Sequence, residues 1–485
     1  MMYPLLIKIT WIDMFLYINI LLVLSVIFLS RKNVSATWAW IMIMLFIPFV
    51  GFILYLFIGQ DLRKRKTFSK KEEEDRFLAV AHRQQASLIY NMNEYNNPLI
   101  KTYESLISLH LNAHESLYTE DNSANIFIDG RDLFNHLFES IKNAKKYIHI
   151  EYYIIRNDDL GRAFKDLLIE KAKQGVEIFL LYDDMGCFGI PKKYFYELKQ
   201  AGVKVACFFP SFIPFLKLRV NYRNHRKICV IDGMIGYLGG FNIGKEYMGL
   251  NKKLGYWRDT HLKITGSAVR LINLQFLLDR RFATNENILL DKYIPIETNT
   301  APGNIGMQIV SSGPDSKHPS IKNGYIKMIH EAKKSIYIQT PYFVPDEGVL
   351  TAIKLAGLSG IDVKIMIPNK PDHLCVYWAT YAYIGEVLDC GVKCYTYEKG
   401  FLHAKTIVID DEICSVGTAN FDMRSFKLNF EINSFIYDTA VSKKLSQIFV
   451  EDLDDSKEIT KDMYKNRGLL IKFKESISRL ISPIL

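Results

Sequence analysis

One eighteen-residue pattern occurs twice in this chain, beginning at His225 and at His403. Counting from each histidine, a Lys lies at position +2, an Asp at +7, a Gly at +14 and an Asn at +17. An isolated His-x-Lys is uninformative, because such residues are common at ordinary positions. Two complete copies in register indicate a duplicated site. The accompanying residues are Lys227, Asp232, Gly239 and Asn242 in the first copy and Lys405, Asp410, Gly417 and Asn420 in the second.

Each histidine precedes a predicted β-strand. The segments KICVID and KTIVID are rich in β-branched residues and end at turn-prone Asp-Gly and Asp-Asp. Side chains two positions apart on a strand share a face, so each histidine and its lysine should project together. A lysine that binds phosphate oxygens, beside a histidine that attacks phosphorus or protonates the leaving oxygen, suits phosphoryl transfer.

The other motif residues have different expected roles. Asn242 and Asn420 follow in turns and should donate amide hydrogens to the phosphate. Parity places Asp232 and Asp410 on the opposite face, so we expect them to brace the strand rather than touch substrate. No metal is expected, because the ligand pairs Cys-x-x-Cys and His-Glu-x-x-His are missing from the sequence and a nearby lysine would repel a cation.

The two motifs resemble the signature of the phospholipase D superfamily, His-x-Lys-x4-Asp-x6-Gly-x-x-Asn. The resemblance implies an α/β fold in which two repeats form one bilobal catalytic unit and both histidines meet at one site. The N-terminal motif usually supplies the nucleophile, which implies a covalent phospho-histidine at His225 and an acid, then base, at His403. No cofactor is implied. The catalytic set carried over is His225, Lys227, Asp232, His403, Lys405 and Asp410.

The same resemblance implies a carboxylate that orients each histidine. Glu431 lies 28 residues past His403 and is expected behind it. The first repeat has Lys253 at that distance, so Asp259, after a short insertion, is expected behind His225. For either acid, a solvated position on the surface is the alternative.

The first sixty residues predict a transmembrane hairpin. Residues 11–30 are largely apolar and residues 36–59 carry no charge, and each stretch matches the roughly 20 residues that cross a bilayer. A cleaved signal peptide is the alternative for the first stretch. Basic residues from Arg63 to Lys71 outnumber the two in the hairpin loop. The catalytic part is therefore expected on the cytoplasmic side of a multi-pass membrane segment.

Strand and helix patterns predict two α/β halves, with a break near residues 295–303. Seven scattered cysteines suit a reduced compartment, and the net charge of +9 suits anionic lipid better than a nucleic-acid groove. The expected domains are a membrane segment at 1–60, a connector at 61–120 with a helix near 71–85, repeats at 121–293 and 304–460, and a C-terminal amphipathic helix at 461–485.

Accessory segments are similar to those of bacterial cardiolipin synthases. They include Trp38-Ala39-Trp40, Glu151-Tyr152-Tyr153, the residues from Asn221 to Lys227 and those from Asn420 to Ser425. The resemblance implies an enzyme of the bacterial inner membrane that converts two phosphatidylglycerol molecules into cardiolipin and glycerol. A lipid hydrolase or another phosphatidyltransferase would share the catalytic residues. A membrane-tethered nuclease is disfavoured because no nucleic-acid tract is recognised, and a non-catalytic scaffold need not keep both motifs. The oligomeric state is left open.

Two segments suggest contact with lipid. The aromatic stretch at 208–216 is expected to form a lip that touches acyl chains, with a buried strand as the alternative. In the last helix, Leu470, Phe473, Ile477 and Leu480 recur at helical spacing with basic residues beside them. That pattern suits either an interfacial helix or one packed on the catalytic core.

Overall fold

The computed structural model describes residues 11–29, 34–58, 97–210, 222–286, 288, 292–293 and 303–482. The described residues fall into two compact units, one within residues 11–58 and the other within residues 97–482. The helix expected near 71–85 lies outside the described residues.

The first unit contains three described helices, α1 (Trp11–Leu29), α2 (Val34–Phe46) and α3 (Val50–Ile58). The stretch predicted as one span at 36–59 contains two helices, because the helix breaks at residues 47–49. Pro48 disfavours helix at its own position and the one before it, and Phe49 has a left-handed φ of 58°. In the part of the chain that the structure describes, no helix has the length and apolarity to cross a bilayer.

The second unit is an α/β structure built on one long mixed sheet. Along the sheet the strands run β4-β3-β2-β6-β7-β9-β1, then β10-β19-β17-β16-β11-β13-β14-β20. The strands are β1 (Tyr118–Phe127), β2 (Tyr147–Tyr152), β3 (Glu177–Asp183), β4 (Lys204–Phe208), β5 (Arg223–Asn224), β6 (Lys227–Ile231), β7 (Ile235–Gly239), β8 (Tyr256–Arg258), β9 (His261–Thr265), β10 (Ile305–Ser312), β11 (Ser335–Gln339), β12 (Phe343–Val344), β13 (Asp362–Pro368), β14 (Lys393–Tyr397), β15 (Gly400–Leu402), β16 (Thr406–Ile409), β17 (Ile413–Gly417), β18 (Phe421–Asp422), β19 (Asn429–Tyr437) and β20 (Ser456–Glu458).

The two halves of this sheet repeat one topology. In each half three strands are parallel, β2-β3-β4 and β11-β13-β14, and the motif strand pairs antiparallel with the first of them. The halves join where β1 and β10 pair antiparallel. The expected α/β repeats are therefore confirmed.

Helices cover the sheet and bury apolar side chains against it. One core cluster draws on both halves, with Ile228 and Leu262 from the first and Val408 and Ile432 from the second, so the repeats share a core. The helices are α4 (Leu99–Thr102), α5 (Glu104–His114), α6 (Gly130–Lys142), α7 (Asp159–Lys173), α8 (Lys192–Gln200), α9 (Ala268–Thr284), α10 (Ser320–Glu331), α11 (Glu347–Leu358), α12 (Leu374–Leu388), α13 (Met423–Lys427), α14 (Thr439–Asp454), α15 (Lys461–Lys465) and α16 (Leu469–Ile481).

The aromatic lip predicted at 208–216 is wrong for its first two residues. Phe208 and Phe209 are buried, and the Phe208 ring packs 5.2 Å from the rings of Phe282 and Phe430. Phe208 ends strand β4 and Phe209 follows it, and both side chains lie in the core because burial of such large apolar surfaces is more favourable than exposure. Residues 211–216 lie outside the described residues.

The two motif aspartates brace the sheet, as parity predicts. Asp232 accepts hydrogen bonds from the backbone N–H groups of residues 145–147, at 2.7–2.9 Å. Asp410 accepts from those of residues 333–335, each at 2.7 Å. Both aspartates have left-handed φ angles, 54° and 55°. Each carboxylate therefore ties the turn after its motif strand to the start of the neighbouring strand.

We expect Asp410→Asn to lower the free energy of unfolding by about 2 kcal/mol, because a charged acceptor of three amide hydrogens is replaced by a neutral one. Denaturant unfolding of the purified protein measures the loss. Asp411→Asn is the matched control, since it lies in the same turn with a similar φ of 60° and is not the acceptor of these amides. A folded but wholly inactive Asp410→Asn protein would contradict the bracing role.

Candidate active site

Strand pairings between the two repeats place the histidines. Strand β5, which ends just before His225, pairs in parallel with the start of β19 in the other repeat. Strand β15, which ends just before His403, pairs in parallel with β8. The pairings continue into the histidines, since His225 N donates to Phe430 O at 2.9 Å and His403 N donates to Arg258 O at 2.7 Å. Each histidine therefore lies beside a strand of the other repeat.

The strand pairing across the repeats also decides which carboxylate each histidine contacts. His225 Nδ1 lies 3.0 Å from both carboxylate oxygens of Glu431. His403 Nδ1 lies 2.6 Å from Asp259 Oδ2. The assignment by distance along the chain is therefore wrong, because each acid orients the histidine of the other repeat. Glu431 and Asp259 are equivalent positions, each one residue past the carbonyl that accepts the histidine N–H. Neither is a surface acid, since both are fully buried.

Further contacts fix the two carboxylates. Glu431 Oε1 accepts from Ser425 Oγ at 2.9 Å and from Asn429 Nδ2 at 3.2 Å. Asp259 accepts from the Thr260 N–H at 2.8 Å and the Trp257 indole at 3.3 Å. Carboxylates held by several donors keep the rings they contact in a fixed orientation.

Burial controls the protonation of the histidines. It lowers the pKa of His225 and of His403 to about 4 each, although each has a carboxylate beside it that acts in the opposite direction. For Glu431 and Asp259, burial raises the pKa, but the adjacent histidine and a nearby lysine reverse this, so the pKa lies below its usual range. At neutral pH each imidazole is therefore neutral and donates Nδ1–H to its carboxylate. That tautomer leaves the Nε2 lone pair for attack or proton transfer.

The two motif lysines are buried below their histidines. Lys227 Nζ donates to His225 O at 2.6 Å, and Lys405 Nζ donates to His403 O at 2.5 Å. Burial lowers the pKa of Lys227 to about 7 and that of Lys405 to about 8. An anion in the site would favour the charged form of both, so a phosphate and these ammonium groups stabilise one another. In the described ranges no group of three or more His, Cys, Asp or Glu side chains is placed to hold a metal ion.

The motif asparagines are engaged within the protein. Asn242 accepts from the Ile154 N–H at 3.0 Å and donates to Tyr247 Oη at 3.3 Å. Asn420 donates to Asp422 Oδ2 at 3.2 Å. Both are buried. Their contacts show how they hold the loops around the site, and phosphate binding by their amides stays a prediction.

The sequence did not single out two buried arginines that complete the crossing. Arg226 pairs with Asp279 and donates to Glu431 O at 3.1 Å. Arg258 pairs with Asp452 at 2.8 Å and donates to the Asp259 carbonyl. Each arginine therefore holds the backbone of a residue that orients a histidine. The sequence signal that could have identified them is their position in the chain, since Arg226 is next to His225 and Arg258 is next to Asp259.

Aromatic rings form the walls beside the histidines. The Tyr153 ring lies 5.0 Å from that of His225 and 5.4 Å from Lys227 Nζ. The Trp257 ring lies 5.0 Å from that of His403. Tyr153 belongs to a segment identified in the sequence only by its resemblance, and Trp257 lies two residues before Asp259. These walls limit the access of water to the two imidazoles.

We expect a double-mutant cycle on stability to reveal the crossed pairs. His225→Ala with Glu431→Gln should show a coupling of about 1 kcal/mol or more, because the two side chains share a hydrogen bond. His403→Ala with Asp259→Asn should do the same. The control cycles, His225→Ala with Asp259→Asn and His403→Ala with Glu431→Gln, should be additive within about 0.5 kcal/mol. Coupling only in the control cycles would restore the assignment by chain distance.

Comparison with known proteins identifies the family. The pattern described as "Cardiolipin synthase, PLD-like domain" matches residues 137–264 and 325–453, and "Phospholipase_D-nuclease N-terminal" matches residues 18–60. The chain is 51% identical to the major cardiolipin synthase ClsA of Bacillus subtilis, over 98% of each chain. It is 46% identical to a cardiolipin synthase of Listeria monocytogenes, over 97% of this chain and 98% of that one.

A solved structure agrees with the fold. The phosphatidylserine synthase of Haemophilus influenzae superposes with a TM-score of 0.58 at 16% identity. The superposition covers 79% of this chain and all of the other. At this identity the likeness concerns the fold alone, and it extends over both repeats.

Proposed function

Because this chain belongs to the cardiolipin synthase family of the phospholipase D superfamily, we propose that it transfers a phosphatidyl group between two phosphatidylglycerol molecules, giving cardiolipin and glycerol. Full-length relatives at about 50% identity that carry this name support the proposal. The observation in the structure that carries it is the pair of neutral, carboxylate-bound histidines over two buried lysines. That site suits two successive displacements at one phosphorus.

In the first step His225 Nε2 attacks the phosphorus of the donor lipid. The bond from phosphorus to the glycerol headgroup oxygen breaks, and His403 gives that oxygen a proton. His403 is neutral in the empty site, so it takes this proton from solvent when the anionic phosphate enters and raises its pKa. Asp259, 2.6 Å from Nδ1, stabilises the resulting imidazolium. Lys227 and Lys405 bind the non-bridging oxygens as charge shifts to them.

The second step reverses the roles. His403, now neutral, removes the proton from the terminal hydroxyl of a second phosphatidylglycerol, and that oxygen attacks the phospho-histidine. The bond from phosphorus to His225 breaks and cardiolipin forms. Asn242 and Asn420 are proposed as additional amide donors to the phosphate. Water competes with the lipid alcohol at this step, so a dry site favours transfer over hydrolysis.

The nucleophile is proposed to be His225, by resemblance to the superfamily. The presence of a carboxylate does not distinguish the two histidines, because each has its own acid. The contact lengths support it instead. The 2.6 Å contact of His403 with Asp259 is shorter than the 3.0 Å contacts of His225 with Glu431, which suits a histidine that must carry the proton first.

The N-terminal unit is proposed as a membrane anchor, with α1 and the broken helix α2–α3 as two passes. The match of residues 18–60 to the N-terminal family pattern supports this. The basic residues from Arg63 to Lys71 support an orientation in which the anchor lies in the inner membrane and the catalytic part lies in the cytoplasm. The proposed partners are anionic membrane lipids. Binding of nucleic acid is not expected.

We expect the purified chain, given phosphatidylglycerol alone in vesicles, to form cardiolipin and glycerol in equal amounts without a nucleotide-linked lipid. Lipid mass spectrometry and a glycerol assay measure both. Phosphatidic acid as the only product would make the chain a hydrolase.

In sealed inverted membrane vesicles, glycerol should appear outside; its appearance only in the lumen would contradict the cytoplasmic orientation.

We expect acid quenching during turnover to trap a phosphatidyl adduct on the peptide that contains His225, because its Nε2 attacks phosphorus. Proteolysis and mass spectrometry locate the adduct. His403→Ala should slow both formation and release of the adduct, while His225→Ala should form none. An adduct on the His403 peptide of the unmodified enzyme would reverse the assignment.

A further inference from the structure

The last helix, α16, is amphipathic, but it faces the protein with its polar side. Glu475 and Ser478 are buried, with 2% and 5% of their surface exposed. The apolar side chains point outward, with exposed fractions of 84% for Leu469, 66% for Leu470, 63% for Phe473, 47% for Ile477 and 78% for Leu480. The sequence left open whether this helix packs on the core or lies at an interface. In the structure it packs on the core and leaves its apolar stripe uncovered.

Specific polar contacts set this orientation. Arg467 binds the buried Glu475 carboxylate through two bonds of 2.7 and 2.9 Å. At the other end, Arg479 pairs with Glu386 of helix α12, and Ser482 bonds to the Tyr383 hydroxyl at 3.2 Å. Rotating the stripe inward would break these bonds and leave charged groups facing apolar surface, which is costly. The outward stripe is therefore specified by the sequence and is not a packing defect.

The stripe begins on the side of the fold that carries the catalytic lysine. Helix α16 lies on α12, with Lys474 Nζ 5.2 Å from the Trp378 ring near the start of α12 and Arg479 further along it. The start of the stripe is therefore close to the start of α12. Just before α12, Asp372 accepts from the Tyr342 hydroxyl and lies near enough to Lys405 to raise its pKa. The apolar stripe and the catalytic lysine are thus on the same end of the molecule.

A further exposed apolar residue lies at the start of α12. Leu374 is the first residue of that helix and is 65% exposed. It follows Asp372 by two residues, so it extends the apolar surface on the side of the fold that carries the catalytic lysine.

We propose that the stripe of α16, with Leu374, inserts into the interfacial region of an anionic lipid bilayer and holds the histidine site against the membrane. The inference rests on the proposed function for the identity of the substrate. Lys472 and Lys474 lie beside the stripe, where their long side chains reach phosphate headgroups while the apolar residues enter the acyl region. Lipid could then reach the histidines without crossing water.

Label quenching in vesicles tests the contact directly. A bimane label at Leu470→Cys in the full chain, with the exposed Cys375 replaced by Ser, should be quenched by brominated lipid in phosphatidylglycerol vesicles. Leu358→Cys is the matched control. Leu358 is 67% exposed, but it ends α11, which runs back from the site to the opposite end of the parallel strands. The label at 358 should stay unquenched.

Three results would overturn the proposal. The first is no quenching at position 470. The second is a bimane emission at 470 that shifts with protein concentration alone, since a second copy would then cover the stripe. The third is an emission already typical of an apolar environment without lipid, since another segment of the chain would then cover it. Quenching does not depend on turnover, so a protein that is quenched at 470 but makes no cardiolipin would contradict only the proposed function.

Kinetics give an independent measurement. We expect Leu470→Glu with Phe473→Glu to raise the phosphatidylglycerol mole fraction needed for half-maximal rate in mixed micelles by about tenfold, because burial of such side chains in the acyl region is lost. The maximal rate should change little, since neither residue touches the histidines. Leu358→Glu should alter neither value. An unchanged half-maximal mole fraction in the double variant would overturn the proposal.

Discussion

The crossed pairing of short strands between the two repeats is the constraint on which the catalytic site depends. Strands β5 and β15 leave their own repeats and pair with β19 and β8 of the other. The backbone then carries each histidine to within hydrogen-bond distance of an acid more than a hundred residues away. Neither repeat contains a complete histidine–carboxylate pair of its own. The duplicated sequence therefore makes a single site, and that site exists only when the repeats are joined.

The joined core keeps this arrangement fixed. The shared cluster at the centre of the sheet and the antiparallel pairing of β1 with β10 hold the repeats in one register. Away from the site, Asp232 and Asp410 tie the motif strands to their neighbours. Arg226 and Arg258 hold the backbone of the two acids. The charged groups in and beside the motifs thus have two roles. Some line the reaction site, and others hold the strands and backbone that position it, so the geometry of the site depends on both.

Burial gives the site its reactivity. Removal from water lowers the pKa of both histidines and both lysines, so the empty site carries less positive charge than its residues would in solution. In the proposed mechanism an entering phosphodiester reverses this, because its negative charge favours the protonated forms. Substrate binding then protonates His403, the proposed acid. The same burial excludes water, which is the condition for transfer to an alcohol rather than hydrolysis.

The sequence by itself determined the repeats, the catalytic residues to consider and the bracing role of the aspartates. The spacing of the motif residues gave the repeats and the catalytic candidates. The alternation of side chains along a strand, with every second residue on one face, gave the role of the aspartates. The sequence did not determine which acid serves which histidine. Glu431 lies 28 residues past His403 in the chain, and that distance is compatible with either histidine as its partner. Only the pairing of strands across the repeats decides between them. The sequence also did not determine that Phe208 is buried while Phe473 is exposed. Both are large and apolar, and only the tertiary structure decides which of them has neighbours to cover it.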